Sequence, residues 1–208
     1  MINELIERYP ALSCCKNEIE KTVEIICAAF ENGGKLLICG NGGSCADCDH
    51  IVGELMKGFL KKRRLTKEKK QEMMTAFDGI DDELLSGLQG ALPAISLPSF
   101  TALNSAFLND EEPSLIYAQA VLGLGCERDV LLCISTSGNS KNVVSAAKVA
   151  KAMNMTVISL TGMGGGKLFD ISDVTIAVPE KETFKVQELH LPIYHCICAA
   201  VEEHFFKE

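Results

Sequence analysis

A glycine-rich segment, followed by a histidine and a glutamate, carries the most chemical information in this chain. Residues 40–44 (Gly-Asn-Gly-Gly-Ser) follow the apolar run 35–39, which is typical of a buried strand, and precede a run with helical periodicity. Glycines allow unusual backbone angles, and the free amides at a helix start point at a bound anion. His50 and Glu54 are four residues apart, so a helix places them on one face. An anion pocket beside an imidazole and a carboxylate is typical of an enzyme that acts on a phosphorylated sugar.

A second loop of the same kind lies later in the chain. Residues 135–140 read Ser-Thr-Ser-Gly-Asn-Ser, follow the apolar run 130–134 and open another helix. Hydroxyls and backbone amides can bind a phosphate without a lysine. The same residues could also form only a helix cap with a serine turn. Two such loops after two strands favour a phosphate pocket.

The apolar pattern predicts an α/β fold that presents both loops at one edge of a sheet. We expect strands at 35–39, 93–97, 130–134, 155–160 and 174–178, and helices at 15–32, 44–58, 101–108, 113–123, 139–153 and 185–206. Strands that are apolar throughout and alternate with helices indicate a doubly wound parallel five-stranded sheet with helices on both faces. In such sheets the ligand binds beyond the carboxyl ends of the strands.

Residues 61–90 interrupt this pattern. They contain a basic run at 61–64, a second charged run at 67–70 and an acidic stretch at 81–83. A charge pattern of this kind usually marks a solvated surface. We therefore predict one domain over residues 1–208, with a helical insertion at 61–90.

Composition narrows the class of protein. The formal net charge of −8 argues against a general nucleic-acid-binding role. No apolar run approaches the roughly 20 residues that span a bilayer, and the N-terminus lacks the pattern of a signal peptide. These features predict a cytosolic protein that binds neither membranes nor nucleic acid. The ten cysteines are then expected to be reduced, mostly as small core residues.

Two further motifs have rival interpretations. Cys45 and Cys48 form a CxxC at a helix start, where redox pairs occur because the thiol pKa is lowered there, and His50 could join them in a metal site. The favoured interpretation is that both cysteines are small packing residues. Residues 164–167 (Gly-Gly-Gly-Lys) resemble part of a nucleotide-binding loop, but they lack its spacing and the Ser or Thr after the lysine.

In combination, these motifs resemble a known family. Residues 40–44 with His50 and Glu54, then 135–140, then residues 187–190 and His195, are similar to the sugar isomerase (SIS) domain family, and most to its phosphoheptose isomerase branch. The resemblance covers nearly the whole chain apart from 61–90. It implies a three-layer SIS sandwich and an aldose–ketose isomerase acting on a sugar phosphate.

The resemblance also implies roles for individual residues. Glu54 and His195 match the acid/base pair of the family, and Ser44 matches a residue that caps the following helix. Residues that match substrate contacts are Asn41, Gly42, Gly43, Ser44, Glu54, Asn109, Asp110, Ser135, Thr136, Ser137, Ser140 and Gln187. Residues that match a metal site, usually zinc, are His50, Glu54, Gln187 and His195.

Spacing alone leaves some of these assignments open. Glu188 aligns with His195 on a helix better than Gln187 does. Pro192 removes a backbone donor and is expected to kink the helix between them. His190 is a rival for the acid/base role. Gly58 occupies the place where the family often has an arginine near the sugar, and Lys57 or the run 61–64 could substitute for it.

The leading hypothesis is an enzyme that converts sedoheptulose 7-phosphate to an aldoheptose 7-phosphate through an enediol. The first alternative is a non-catalytic, phosphosugar-binding or regulatory SIS protein. A third interpretation is an aldolase- or epimerase-like enzyme for another phosphosugar. Family resemblance and the apolar C-terminal helix together predict a homotetramer with pockets shared between subunits.

Overall fold

Five parallel strands form one sheet in the computed structural model of this protein, which describes residues 1–206. The last two positions of the predicted domain, 207 and 208, lie outside the described residues. The strands are β1 (Leu36–Gly40), β2 (Ala94–Ser96), β3 (Val130–Ser135), β4 (Thr156–Thr161) and β5 (Val174–Ala177). Their order across the sheet is β2-β1-β3-β4-β5, and every neighbouring pair is parallel. The predicted α/β fold is confirmed.

Within residues 1–206, ten α-helices surround or extend from the sheet. They are α1 (Ile2–Arg8), α2 (Lys16–Glu31), α3 (Gly43–Met56), α4 (Lys67–Ala76), α5 (Asp82–Gly87), α6 (Thr101–Asp110), α7 (Ile116–Leu124), α8 (Lys141–Ala152), α9 (Gly166–Phe169) and α10 (Thr183–Phe205). Every helix expected outside 61–90 is present within a few residues of its predicted bounds. The sequence patterns missed α1 and α9, and α10 continues through Pro192.

The core lies on both faces of the sheet. Along β1, Leu36 and Ile38 pack into one cluster with residues of α2, α3 and α10, whereas Leu37 and Cys39 pack into another with residues of α7 and α8. Successive strand residues point to opposite faces, so a strand covered on both sides must be apolar throughout. This explains why the strands show no polar alternation in the sequence.

The sheet topology brings the glycine-rich loop 40–44 and the serine-rich loop 135–140 together. The chain moves outward from β1 to β2 and then returns to place β3 on the other side of β1. Cys39 is in register with Cys133, and Gly40 with Ile134, so the two strands end side by side. Ligands bind at such a reversal of strand order in open α/β sheets.

A buried ion pair joins the segment after α3 to the C-terminal helix. Arg63 Nε donates to Glu202 Oε1 at 2.7 Å, and both side chains are almost completely buried. The guanidinium also donates to the backbone carbonyl oxygens of Leu55 and Glu54. Glu202 accepts from two backbone amides, those of residues 59 and 60. The expectation that the basic run 61–64 is entirely solvated is therefore wrong at Arg63, because the helix end supplies carbonyl acceptors and α10 supplies a carboxylate.

Helices α4 and α5 occupy the predicted insertion and have the usual polar caps. The side chains of Thr66 and Asp81 accept from backbone amides in the first turn of each helix. Across residues 1–206, none of the helices combines the length and apolar character that crossing a bilayer requires.

Candidate active site

The loop after β1 turns directly into α3. Gly42 has φ +57°, a left-handed conformation that glycine adopts without strain, and it occupies the cap position. A Cβ on Gly40 would come within 2.8 Å of the Ser44 carbonyl oxygen, so this tight turn requires glycine there. The expected capping role of Ser44 is wrong. Because the glycines start the helix earlier, Ser44 lies inside the first turn, buried, and its carbonyl oxygen accepts from the Cys48 thiol.

The loop after β3 is held by hydrogen bonds within itself and to the chain after β4. The hydroxyls of Ser135 and Ser140 are 3.1 Å apart, and the Gly138 amide donates to the Ser135 carbonyl oxygen. Asn139 accepts from the Lys167 amide at 3.1 Å. Thr136 and Ser137 stay at least partly exposed. The loop therefore offers hydroxyl and amide donors at the start of α8, as an anion site needs.

A reciprocal amide pair connects the two loops. The Nδ2 of Asn41 donates to Oδ1 of Asn142 at 2.9 Å, and the Nδ2 of Asn142 donates back to Oδ1 of Asn41 at 2.9 Å. The Tyr117 hydroxyl lies 3.1 Å from the same Asn41 oxygen and donates to the Gly40 carbonyl oxygen at 2.7 Å. Asn142 and Tyr117 could not be identified from the sequence, because only the sheet order shows that they face Asn41.

Three side chains converge between α3 and α10. The Nε2 of His50 is 3.2 Å from Oε1 of Glu54 and 3.4 Å from Nε2 of His195. The expected i,i+4 placement of His50 and Glu54 is confirmed, and the structure brings His195 to them within one chain. Lys57 Nζ is 3.8 Å from the other Glu54 oxygen, Oε2, which is buried and has no hydrogen-bond partner among the described residues.

The surroundings of His195 favour its neutral form. Burial lowers the pKa of His195, the nearby His50 lowers it further, and the Glu54 carboxylate opposes both effects. A neutral imidazole can accept a proton at one nitrogen and donate from the other. His195 is therefore suited to moving protons at neutral pH.

A tyrosine that sequence patterns do not indicate, Tyr194, lies on the far side of His50. The Tyr194 hydroxyl is 3.0 Å from Nδ1 of His50 and donates to Oδ1 of Asp47 at 3.1 Å. The rings of Tyr194 and His195 both meet the His50 ring edge-on. No local pattern signals this contact, because Tyr194 lies in an apolar run of α10.

Gln187, and not Glu188, faces α3. A Cβ on Gly43 would overlap the Gln187 amide nitrogen, so this side chain lies against the first turn of α3. Glu188 is exposed. Spacing relative to His195 is thus a poor guide on this helix, and the residue implied by the family resemblance is the one beside the glycine-rich loop.

The other expected site residues lie elsewhere. Asn109 donates to the Asp110 carboxylate at 2.7 Å, at the exposed end of α6, and neither contacts the His50–Glu54–His195 group. His190 is completely buried, and this burial lowers its pKa to about 4, against a smaller opposing effect of the Thr161 backbone. Neither ring nitrogen of His190 has a hydrogen-bond partner among the described residues. A buried, neutral His190 is a poor rival to His195.

The CxxC thiols are unsuited to redox chemistry. Burial raises the pKa of Cys45, and the nearby Asp49 raises it further. Burial also raises the pKa of Cys48 well above its ordinary value. A reactive thiol needs a lowered pKa. These residues therefore act in packing.

The donor set is compatible with a divalent metal ion, although it is not preformed as a complete site. Among residues 1–206, no group of three or more His, Cys, Asp and Glu side chains is arranged to hold a metal ion. However, the separations of 3.2 Å and 3.4 Å from His50 Nε2 match the edge of a tetrahedral zinc site, which is about 3.3 Å for bonds of about 2.0 Å. Two imidazole nitrogens and a carboxylate oxygen are ligands that zinc accepts. The residues fit the ion in type and in these two distances.

Comparisons with known proteins identify the family and the fold of this chain. The SIS domain family model matches residues 3–80 and 90–162. The chain is 37% identical over 190 residues to phosphoheptose isomerase 1 of Campylobacter jejuni. This alignment covers 91% of this chain and 88% of that protein. It is 34% identical over 214 residues to a Helicobacter pylori phosphoheptose isomerase, covering 99% and 98% of the two chains. Among solved structures, a phosphoheptose isomerase from Francisella tularensis superposes with a TM-score of 0.77 at 31% identity, covering 94% of this chain and 91% of that one.

Proposed function

We propose that this chain, which belongs to the SIS domain family, isomerises a seven-carbon sugar phosphate, interconverting sedoheptulose 7-phosphate and an aldoheptose 7-phosphate. One observation carries this proposal beyond the comparisons. His50, Glu54 and His195 converge along the helix that follows the glycine-rich loop, and Asn41 of that loop is hydrogen-bonded to Asn142 at the start of α8, where the strand order reverses. A protein that only binds phosphosugars needs the loops but has no need of a carboxylate and an imidazole beside them.

The geometry supports a division of labour between the two ends of the substrate. The hydroxyls of Ser135, Thr136, Ser137 and Ser140 and the first amides of α8 bind the phosphate. Isomerisation moves one hydrogen from C1 to C2 and a second from the C1 hydroxyl to the C2 oxygen. The Glu54 carboxylate takes the proton from C1 and returns it to C2 of the enediol, and His195 passes a proton between the two oxygens. Asn41, Gly42, Gly43 and Gln187 contact the sugar.

The test of the acid/base assignment is Glu54→Gln. The amide keeps the shape of the side chain but cannot take a proton, so turnover should fall by about 10²- to 10⁴-fold, while substrate affinity stays within a few fold. The matched control is Glu188→Gln, an exposed position on α10 where we expect wild-type kinetics. Isomerisation by Glu54→Gln at a near wild-type rate would show that the assigned role is wrong.

The same assay separates the alternative functions. Ketose and aldose phosphates of six and seven carbons should be offered to the wild-type protein, with products identified by their stereochemistry. Turnover of the seven-carbon pair supports the proposal. Binding without turnover indicates a regulatory protein, and cleavage or epimerisation indicates another phosphosugar enzyme.

We propose that the site takes one zinc ion, with His50, Glu54, Gln187 and His195 as the candidate ligands. When bound, such an ion would polarise the substrate carbonyl. Elemental analysis of the purified protein, compared with His50→Ala, tests this. Equal zinc content in the two proteins would contradict the ligand assignment.

We also propose a homotetramer with pockets shared between subunits. A groove of about 420 Å³ lies beside His195 and is lined in part by Phe59, Leu60 and Leu191, two of which are among the exposed large apolar residues. Helix α6, which carries Asn109 and Asp110, has no buried residue. Burying these surfaces against further copies would cover the apolar groove and could bring Asn109 and Asp110 to a neighbouring pocket. A monomer in light scattering at working concentration would contradict this proposal.

We propose that the protein works in a reducing compartment such as the cytosol. Seven of its ten cysteines are buried as free thiols in the core. Burial raises the pKa of Cys198 to about 12 and of Cys27 to about 11, so these thiols are neutral packing groups. Fractionation of cells that express the tagged protein tests the location directly.

A further inference from the structure

Two polar groups, Asp47 and Tyr194, form a continuous hydrogen-bonded chain behind His50. Asp47 and His50 lie one turn apart on α3, and Tyr194 reaches both from α10. The Tyr194 hydroxyl is 3.1 Å from the Asp47 carboxylate and 3.0 Å from Nδ1 of His50. Tyr194 is 2% exposed, so its hydroxyl depends on these partners and not on solvent.

The direction of each hydrogen bond follows from the number of protons available. An ionised carboxylate only accepts, so the single hydroxyl proton of Tyr194 goes to Asp47. The tyrosine oxygen is then left with acceptor capacity towards His50. Its partner must be an Nδ1–H, and a neutral imidazole with a proton on Nδ1 has a lone pair on Nε2.

That lone pair points into the active site. The His50 Nε2 atom is the one that lies 3.2 Å from Glu54 and 3.4 Å from His195. In the metal-free protein His195 can donate its own Nε2 proton to this atom. When a cation enters, His50 is already in the tautomer that binds one.

We propose that Tyr194, held by Asp47, is a positioning residue that fixes His50 with its proton on Nδ1 and so presents Nε2 to a divalent cation. The proposal rests on the proposed zinc site, which itself belongs to the proposed function. Outer partners of metal-binding histidines typically change metal affinity by 10- to 100-fold. Here that partner is contributed by α10, the helix that also carries His195.

The experiment combines a tautomer measurement with a metal titration. The chain has only four histidines, so ring ¹⁵N labelling gives a simple spectrum in which the His50 signals can be assigned by their loss in His50→Gln. In the metal-free wild-type protein we expect the His50 proton on Nδ1. In Tyr194→Phe we expect a shift towards the Nε2–H tautomer and a 10- to 100-fold weaker zinc affinity.

Two controls and a second variant keep the result interpretable. His204, whose Nε2 lies 2.6 Å from Glu31, should keep its signals in every variant, and Tyr9→Phe removes a hydroxyl that does not touch His50. If Tyr194→Phe fails to fold, Asp47→Asn serves instead, because an amide that donates to the tyrosine oxygen turns the hydroxyl proton towards Nδ1 and favours Nε2–H.

The outcomes are distinct. A wild-type His50 with its proton on Nε2, or an unchanged tautomer and zinc affinity in Tyr194→Phe, would overturn the proposal. If the expected tautomer and zinc effects are found but no seven-carbon sugar phosphate is turned over, the proposed function fails while the positioning role of Tyr194 stands.

Discussion

Replacing Arg63 should cost this protein much of its stability, because Arg63 is one half of a buried ion pair. Arg63→Met keeps a long apolar stem and removes the guanidinium. Glu202, which is 0% exposed, then keeps only the backbone amides of residues 59 and 60 as donors. Removing one partner of a buried pair typically costs about 3–5 kcal/mol. The carbonyl oxygens of Leu55 and Glu54 also lose a donor.

The expected size of the effect is large enough to measure by thermal unfolding. A loss of about 4 kcal/mol corresponds to a Tm drop of roughly 8–16 °C for a chain of this length. The matched control is Lys61→Met. Lys61 pairs with Glu203 at 2.8 Å, one residue along α10 from Glu202, but Glu203 is 61% exposed. An ion pair that solvent reaches contributes about 0–1 kcal/mol, so the Tm of Lys61→Met should differ from that of the wild type by a few degrees at most.

The pH dependence gives an independent check. Burial acts to raise the pKa of Glu202, but the hydrogen bonds from residues 59 and 60 and from Arg63 outweigh it, and the net pKa is lowered. A lowered pKa in the folded state gives stability that is present above the unfolded pKa of about 4.3 and is lost as the pH falls through the folded pKa. The Tm difference between wild type and Arg63→Met should therefore shrink below about pH 4.3. A Tm for Arg63→Met no lower than that of Lys61→Met at pH 7 would refute this reasoning.

Three further changes test the loops and the buried histidine. Gly43→Ala places a Cβ against the Gln187 amide, so the glutamine side chain must move. We expect kcat/KM to fall by about tenfold or more and Tm to change little. Unchanged kinetics would place Gln187 outside the site. Asn142→Ala removes two hydrogen bonds to Asn41, each contributing about 1 kcal/mol, so KM should rise by up to about 30-fold. A KM within twofold of wild type would show that the amide pair is dispensable. Burial lowers the pKa of His190 to about 4, so the folded state resists its protonation and stability in urea should fall by about 3 kcal/mol between pH 6.5 and pH 4. His190→Met should remove that dependence and keep activity, and loss of turnover in this variant would revive His190 as the acid/base.

The fold was largely predictable because the central strands are covered on both faces. Residues 36–39 and 130–134 are apolar throughout because they fill two cores, and this leaves an unambiguous signal. The short helices α1 and α9 carry too few residues to show a helical period. The cap position of α3 was misjudged because Gly42 replaces the usual polar cap with a left-handed turn.

The site was predictable where its residues are close in sequence and not where helices meet. His50 and Glu54 follow from one helical turn. His195 and Gln187 were assigned from family resemblance. Helical-wheel geometry on α10 favoured Glu188 in place of Gln187. Local patterns could not have found Tyr194, Asn142 or Arg63, because their partners lie 144, 101 and 139 residues away along the chain.

Helix α6 has a consequence for how assembly could be detected. It is ten residues long and contains no buried residue. Isolated helices of this length are marginal in water, and α6 is attached to the core through the partly buried Phe107. Its backbone amides in a lone protomer should therefore exchange with deuterium faster than those of the buried helices. Contact with a neighbouring copy would slow that exchange. The deuteration rate of residues 101–110, measured on serial dilution, would therefore report the dissociation of an assembly through the backbone amides of the protein itself.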